Sequence, residues 1–474
     1  VVVDGETYTW VDAPTITAPG VDIISTRASL SSLSALSIAD DSEVMAANHV
    51  PYYTSMSGTS MAAPHISGVV ALMLEANPNM NWRDVKSILM STATNMPGRE
   101  SWEVGAGYVN AHAAVKAVVD DSLKFGTTTK HNRTFNANAQ TSVQDEFETQ
   151  VPFSPVGDNE GISIEVQPDA SMLMIKATVS DNTLGLSLFS PSGKRYGSGI
   201  ALPAIGENIG ITAPAEPGTW TLKANGIGGI SGVDVDPIGV TNGYAAPGNI
   251  PVSVKIIKTD GFSGLHDIES HPAKAFVELA VSERLVDAKA NGFQPDAKMK
   301  RLELADFLAL GAGVRQSPDG STAKFLDINS SNAGLVNAVS TPGGALKDLS
   351  HSQQPMITSI GDHFEPNGNV SRSELAYALV QALALQTQAQ IAPEQLTAIY
   401  GEQRIAIADH ASIPTHLKGY VQLALDLGLL NAYFDFEQSP YDLEPTIIAN
   451  FFGHAEVSRA DYAVAATRLL TRFE

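Results

Sequence analysis

The chain has 474 residues and a formal net charge of −22, with 43% hydrophobic and 17% charged residues. That balance supports several packed domains and excludes a disordered chain, while the acidic surface, spread over the whole length, disfavours nucleic-acid phosphates and anionic membranes as partners. The chain contains no cysteine, which excludes a disulfide scaffold and a zinc–thiolate site, and no run of 18 apolar residues predicts a membrane span. Val1-Val2-Val3-Asp4-Gly5 carries neither an initiator Met nor a signal-peptide pattern and reads as the middle of a longer chain.

A first block, residues 1–122, opens on Thr15 to Ser25, a strand–turn–strand pattern with Pro19-Gly20 at the turn. Residues 28–48, rich in Ser, Ala and Asp, read as a surface insertion. Met61 to Ala76 has helical length and apolar residues on every face, the pattern of a buried central helix, and Asn77-Pro78 ends it. An amphipathic helix is predicted over Asn81 to Thr92 and a third helix over Ala111 to Val119.

Residues 123–262 change to short alternating runs between Gly, Pro, Ser and Thr turns. Leu184 to Phe189 and Thr219 to Ala224 are the clearest, and a β-sandwich or jelly roll follows. Trp220 reads as core. Asp234 and Asp236, beside a glycine-rich loop, are the carboxylates placed to hold a structural Ca²⁺, although acidic loop pairs are usually just solvated. No cofactor is required by anything in the sequence.

Residues 263–474 carry an internal repeat. Phe293-Gln294-Pro295 precedes Arg301 and Glu303, and Phe364-Glu365-Pro366 precedes Arg372 and Glu374. A third copy, Ser458-Arg459-Ala460-Asp461, lacks the Phe-x-Pro. Each Arg opens a helix, and Asp267, Asp327 and Asp409 stand at the start of the three units.

Ser60 lies where a glycine-containing turn meets an apolar helix. A serine hydroxyl reacts only with a base to take its proton and donors for the oxyanion, and a helix N-terminus supplies free N–H groups. Helix capping is the plainer role for such a serine. The residues around it decide between the two. Tyr52 to Met96 resembles the C-terminal part of the subtilisin-like (subtilase) catalytic domain: Gly58-Thr59-Ser60-Met61-Ala62-Ala63-Pro64-His65 matches that family's serine motif, Ala18-Pro19-Gly20 an upstream turn, and Gly105-Ala106-Gly107-Tyr108-Val109-Asn110-Ala111 its closing segment. The resemblance implies a partial α/β domain in which Ser60 is the nucleophile and its N–H one oxyanion donor, with His65 structural. The family's triad runs Asp, His, Ser. Only His49 precedes Ser60, outside any His-Gly-Thr-His setting, and Asp4, Asp12, Asp22, Asp40 and Asp41 lack the Asp-Ser/Thr-Gly context.

The repeats resemble S-layer homology modules, which implies a pseudo-trimer that holds anionic cell-wall polysaccharide, with Arg301, Arg372 and Arg459 as ligands. The alternative for those arginines is a helix-start ion pair. The combined expectation is a multidomain, extracellular, surface-attached serine endopeptidase acting on protein or peptide. This chain is expected to be a fragment, inactive alone for want of the upstream Asp and His. The competing expectation is a wall-binding protein with a vestigial protease part.

Overall fold

The structure is a computed structural model and describes residues 2–3, 6–7, 13–28, 38–123, 125–126, 128–157, 159–180, 182–201, 207–227, 241–317, 323–347, 354–391, 393–438 and 445–473. Asp4, Asp12, Asp234 and Asp236 lie outside these residues.

In the N-terminal part a two-stranded antiparallel pair, β1 (Ile23–Thr26) and β2 (Tyr53–Met56), leads into the long helix α1 (Thr59–Ala76). Helix α2 (Trp82–Ser91) starts on a capping box: the Asn81 side chain accepts from the Arg83 and Asp84 amides, and Asp84 accepts from the Asn81 amide. Helix α3 (Ala111–Val119) starts on Asn110, whose side chain accepts from Ala113 N–H. Val69, Met73, Leu89 and Ala114 form the small core between these helices.

The middle part is a sandwich of two four-stranded antiparallel sheets. One runs Asn208–Pro214, Met172–Thr178, Gly248–Ser263, Asn138–Phe153; the other Ile162–Val166, Gly218–Gly226, Leu184–Phe189, Arg195–Gly197. Alternation along the strands puts one face of each sheet inside. Trp220 is fully buried at the centre and donates its indole N–H to Glu216 O at 2.7 Å.

The C-terminal part is a ring of three helical units. Each has a first helix (Lys274–Ser282, Ser330–Ser340, Lys418–Asp426) and a second helix that begins on the repeat arginine (Arg301–Gly311, Arg372–Ala382, Arg459–Phe473). Three backbone bonds close the ring: Met299 N–H donates to Val457 O, Val457 N–H to Val370 O, and Val370 N–H to Met299 O, at 2.9 to 3.0 Å. The third unit also carries two hairpins, Thr397–Tyr400 with Gln403–Ala406 and Tyr433–Glu437 with Thr446–Asn450, where a wholly helical repeat was expected.

In each unit the turn ahead of the second helix places one residue in the left-handed region: Gln294 (φ 59°), Glu365 (57°) and Phe452 (54°). The unit's own aspartate clasps that turn. Asp267 accepts from Phe293 and Gln294 N–H, Asp327 from Phe364 and Glu365 N–H, Asp409 from Phe451 and Phe452 N–H, at 2.6 to 2.9 Å. Phe451-Phe452-Gly453 thus fills the position of the missing Phe-x-Pro.

Two predictions follow from this ring. Arg459 donates to Phe293 O and Asp287 O and pairs with Glu303, and it is 1% exposed. Arg459→Met leaves the Phe293 and Asp287 carbonyls without their donor and Glu303 with only its longer contact to Lys289 at 3.8 Å, so urea denaturation should show a loss of about 3 kcal/mol. The Asp267 and Asp327 carboxyls are pushed up by burial but pulled further down by their two backbone donors, ending below the ordinary 3.8. Because the folded value is depressed, their stabilisation is complete above about pH 3.8 and fades as the pH falls from there through the folded value. The double variant D267N/D327N should flatten the pH dependence of unfolding in that acid window.

Candidate active site

Ser60 sits in the first turn of α1, and the chain reaches it through Gly58, which takes φ 154°, a conformation that L side chains rarely adopt. Gly58 N–H donates to Gly20 O at 2.7 Å, fastening the Ala18-Pro19-Gly20 turn against the serine segment. A Cβ on Gly20 would lie 2.9 Å from Gly58 O and 3.2 Å from the Ala62 Cβ, so glycine is what lets the two turns touch. Asp22, at φ 54°, continues the contact: its N–H donates to Ser57 Oγ at 2.9 Å. The amides of Met61 and Ala62 close back on Gly58 O. Neither the Ser60 amide nor its hydroxyl is bonded among the described residues, and Ser60 is exposed. The arrangement therefore presents a hydroxyl and an unsatisfied N–H together, at the positive end of an 18-residue helix.

The other groups near the motif are held in structural roles. His65 Nδ1 is 2.9 Å from Met61 O, one turn earlier on the same helix. His49 lies in a turn in which its carbonyl accepts from the Tyr52 and Tyr53 amides, and its ring packs edge-on to Tyr53. No hydrogen bond joins it to Ser60. Asp41 is fully buried, paired with Arg27 and accepting from Ser55 N–H and Thr54 Oγ1. A carboxylate so engaged holds the Arg27 and Thr54–Ser55 segments together.

Helix α1 departs from the buried central helix read from its pattern. Only Val69 and Met73 are buried in it; Leu72 is 49% exposed, and nothing lies within 4 Å of a Cβ built on Gly68. The described elements that pack on it cover one side, so the remaining apolar faces lie open.

Arg301, Arg372 and Arg459, expected to meet a wall polysaccharide, turn inward, at 4%, 7% and 1% exposure. Each donates through Nε to the Phe carbonyl of another unit: Arg301 to Phe364, Arg372 to Phe451, Arg459 to Phe293. Each guanidinium also lies over that ring, 4.8 to 5.2 Å from its centroid. Burial lowers the Arg372 guanidinium and pulls Arg459 down to about 10. Their positions make them the joints of the ring, because a buried guanidinium is stable only where every donor has an acceptor. The sequence signal for this was present: an Arg in each copy at a fixed distance from an aromatic. Arg459 also borders a cavity of about 640 Å³ between units, whose lining carries Lys289, Lys300 and Arg133 beside Asp287, Glu303 and Asp306. Among the described residues no group of three or more His, Asp or Glu is placed to hold a metal ion, and no helix is long and apolar enough to cross a membrane.

Comparison with known proteins gives two family matches, the subtilase family over residues 4–109 and the S-layer homology domain over residues 265–305. The chain is 31% identical over 191 residues to "Minor extracellular protease Vpr" of Bacillus subtilis (strain 168), covering 37% of this chain and 22% of that protein. It is 30% identical over 185 residues to "Extracellular basic protease" of Dichelobacter nodosus, covering 36% and 30%. To "Subtilisin DY" of Bacillus licheniformis it is 39% identical over 108 residues, covering 21% and 37%. The chain thus spans between about a fifth and two fifths of the length of these relatives. Residues 4–109 of this chain are thus similar to the subtilase family, and residues 265–305 to the S-layer homology domain.

Proposed function

We propose that the chain is part of a secreted, surface-attached serine endopeptidase in which Ser60 is the nucleophile. The observation that carries this reading is the pairing of an exposed Ser60 hydroxyl with its own unbonded N–H at a helix N-terminus, behind the Gly58 turn. In the proposed reaction Ser60 Oγ attacks the peptide carbonyl, the Ser60 N–H donates to the developing oxyanion, and the amine leaves to give an acyl-enzyme that water hydrolyses. The serine proton needs a base. No hydrogen bond joins His49 to Ser60, and His49 lacks the family's His-Gly-Thr-His setting, so the base and its carboxylate partner are assigned to a part of the catalytic domain outside these 474 residues. The open apolar faces of α1 support that assignment, since such faces are stable in water only when another element covers them.

Residues 1–122 are proposed as the protease portion, 123–262 as the sandwich domain and 263–474 as the wall-attachment portion. The three-fold ring and the S-layer homology match support attachment. Lys300 and Lys289, the latter also paired with Glu303, edge the cavity and offer cations to an anionic polysaccharide beside the carboxylates of Asp287, Glu303 and Asp306.

A fluorophosphonate probe should leave this chain unlabelled. Strong labelling of Ser60 that disappears in Ser60→Ala would show that the base is already present. Joined to upstream sequence carrying the Asp-Ser/Thr-Gly and His-Gly-Thr-His elements, the protein should hydrolyse casein, and Ser60→Ala should abolish this. An inactive joined protein with Ser60 intact rejects the endopeptidase reading. The chain should also sediment with purified cell walls, and K289Q/K300Q should weaken this several-fold. Equal sedimentation of the double variant removes those lysines from the attachment site.

A further inference from the structure

A second cleft, of about 440 Å³, lies between the sandwich and the third helical unit. Its size falls within the range of about 300–1,000 Å³ typical of small-molecule sites. Beside it the sandwich and the third unit meet by close backbone approach. Ile200 N–H donates to Asp426 O at 2.7 Å, and a Cβ on Gly199 would fall 2.4 Å from the Leu427 carbonyl carbon. On the far side Thr212 and Thr471 share a buried 2.8 Å hydrogen bond between their hydroxyls. The two walls are therefore fixed relative to each other.

Two guanidiniums line this cleft, and among the described residues neither has a carboxylate within ion-pair distance. Arg468, half-buried, makes one hydrogen bond, to Asn431 Oδ1 at 3.0 Å, leaving most of its donors unused. Its nearest charged neighbour is the Arg372 guanidinium, which donates to the carbonyl of the same Asn431. Burial and then Arg372 pull Arg468 down to about 10. Arg195 stands on the opposite wall, donating to Ser187 Oγ at 2.9 Å and lying 4.8 Å over the Tyr400 ring. In a chain with 51 acidic and 29 basic residues, two arginines without an ion-paired carboxylate on one cleft, Arg195 feeling only the more distant attraction of Glu402, mark a local demand for negative charge. The half-buried rings of Tyr196, Tyr400 and Phe434 complete the lining. Flat apolar surfaces beside charge-assisted donors suit a ring-shaped ligand with one acidic group and many hydroxyls.

We propose that this cleft binds an anionic saccharide, a sugar unit bearing a carboxylate or a phosphate, with Arg195 and Arg468 donating to the acidic group and the aromatic rings packing against the sugar. The site is separate from the Ser60 motif and from the cavity edged by Lys289 and Lys300, and it does not depend on the protease reading. Both walls must be present, so it exists only where the sandwich and the third unit are joined.

The test is calorimetric titration of the 474-residue chain with trigalacturonate, mannose 6-phosphate, maltotriose, inorganic phosphate and a hexaglutamate peptide. One of the two anionic sugars should bind with one-to-one stoichiometry and maltotriose should not. Arg195→Gln and Arg468→Gln should each weaken binding by about tenfold or more, the effect of losing a hydrogen bond to a charged group. Arg468→Lys should retain part of the affinity, because it keeps the charge but loses the fork. K289Q/K300Q should leave this binding unchanged. The proposal is overturned if neither anionic sugar binds, or if phosphate or hexaglutamate binds as tightly as they do. It is equally overturned if binding follows K289Q/K300Q. If Arg468→Gln loses its cooperative unfolding transition, Arg195→Gln on the sandwich wall decides alone, and unchanged affinity in that variant rejects the site.

Discussion

Everything in the C-terminal half depends on one repeated clasp. A Phe-x turn forces one residue to positive φ, an aspartate of the same unit holds the two amides of the turn, and an arginine of a different unit holds its carbonyl. The aspartate neutralises donors that would otherwise be buried without partners, and the arginine does the same for the acceptor. Because the arginine always comes from another unit, Arg301 to Phe364, Arg372 to Phe451 and Arg459 to Phe293, three local devices become a closed ring. No unit is complete without the next.

The other two parts are fixed to this ring by buried polar joints and by packing. Asn95, fully buried near the end of the subtilase portion, donates to Thr128 O and to Ala309 O of the first unit, and accepts from Lys130 N–H. Gln316 reaches back to Ala93 O and accepts from Thr128 Oγ1. Arg133 pairs with Asp306 and Asp287 of the first unit. Thr471, on the last helix, bonds Thr212 of the sandwich. These contacts set the direction in which the serine segment faces relative to the ring, and they create the cleft lined by Arg195 and Arg468.

Much of this was legible in the sequence, for local reasons. The Asn81 and Asn110 caps, the sandwich strands around Trp220 and the arginine at the start of each second helix follow from propensity and pattern. Other features were hidden. Phe451-Phe452-Gly453 lacks the proline that marks the other turns, and it takes the same shape because Asp409 holds its amides. The hairpin strand Tyr433–Glu437 carries too short an alternation to stand out from its helical surroundings. The apolar pattern of α1 specified a helix that wants cover on all sides, while the described neighbours cover one.

By itself, the sequence determined the serine motif around Ser60 and the three-fold count of the repeats, because each is written in contiguous residues. Tertiary structure alone decided what the charged groups do. Arg301, Arg372 and Arg459 became internal joints because carbonyls distant in sequence meet them, and Asp41 became the partner of Arg27. Arg195 and Arg468, unremarkable in the chain, face one cleft without a carboxylate in ion-pair contact. The role of a charge depends on the neighbours that folding brings within a few ångströms, and sequence distance carries little information about them.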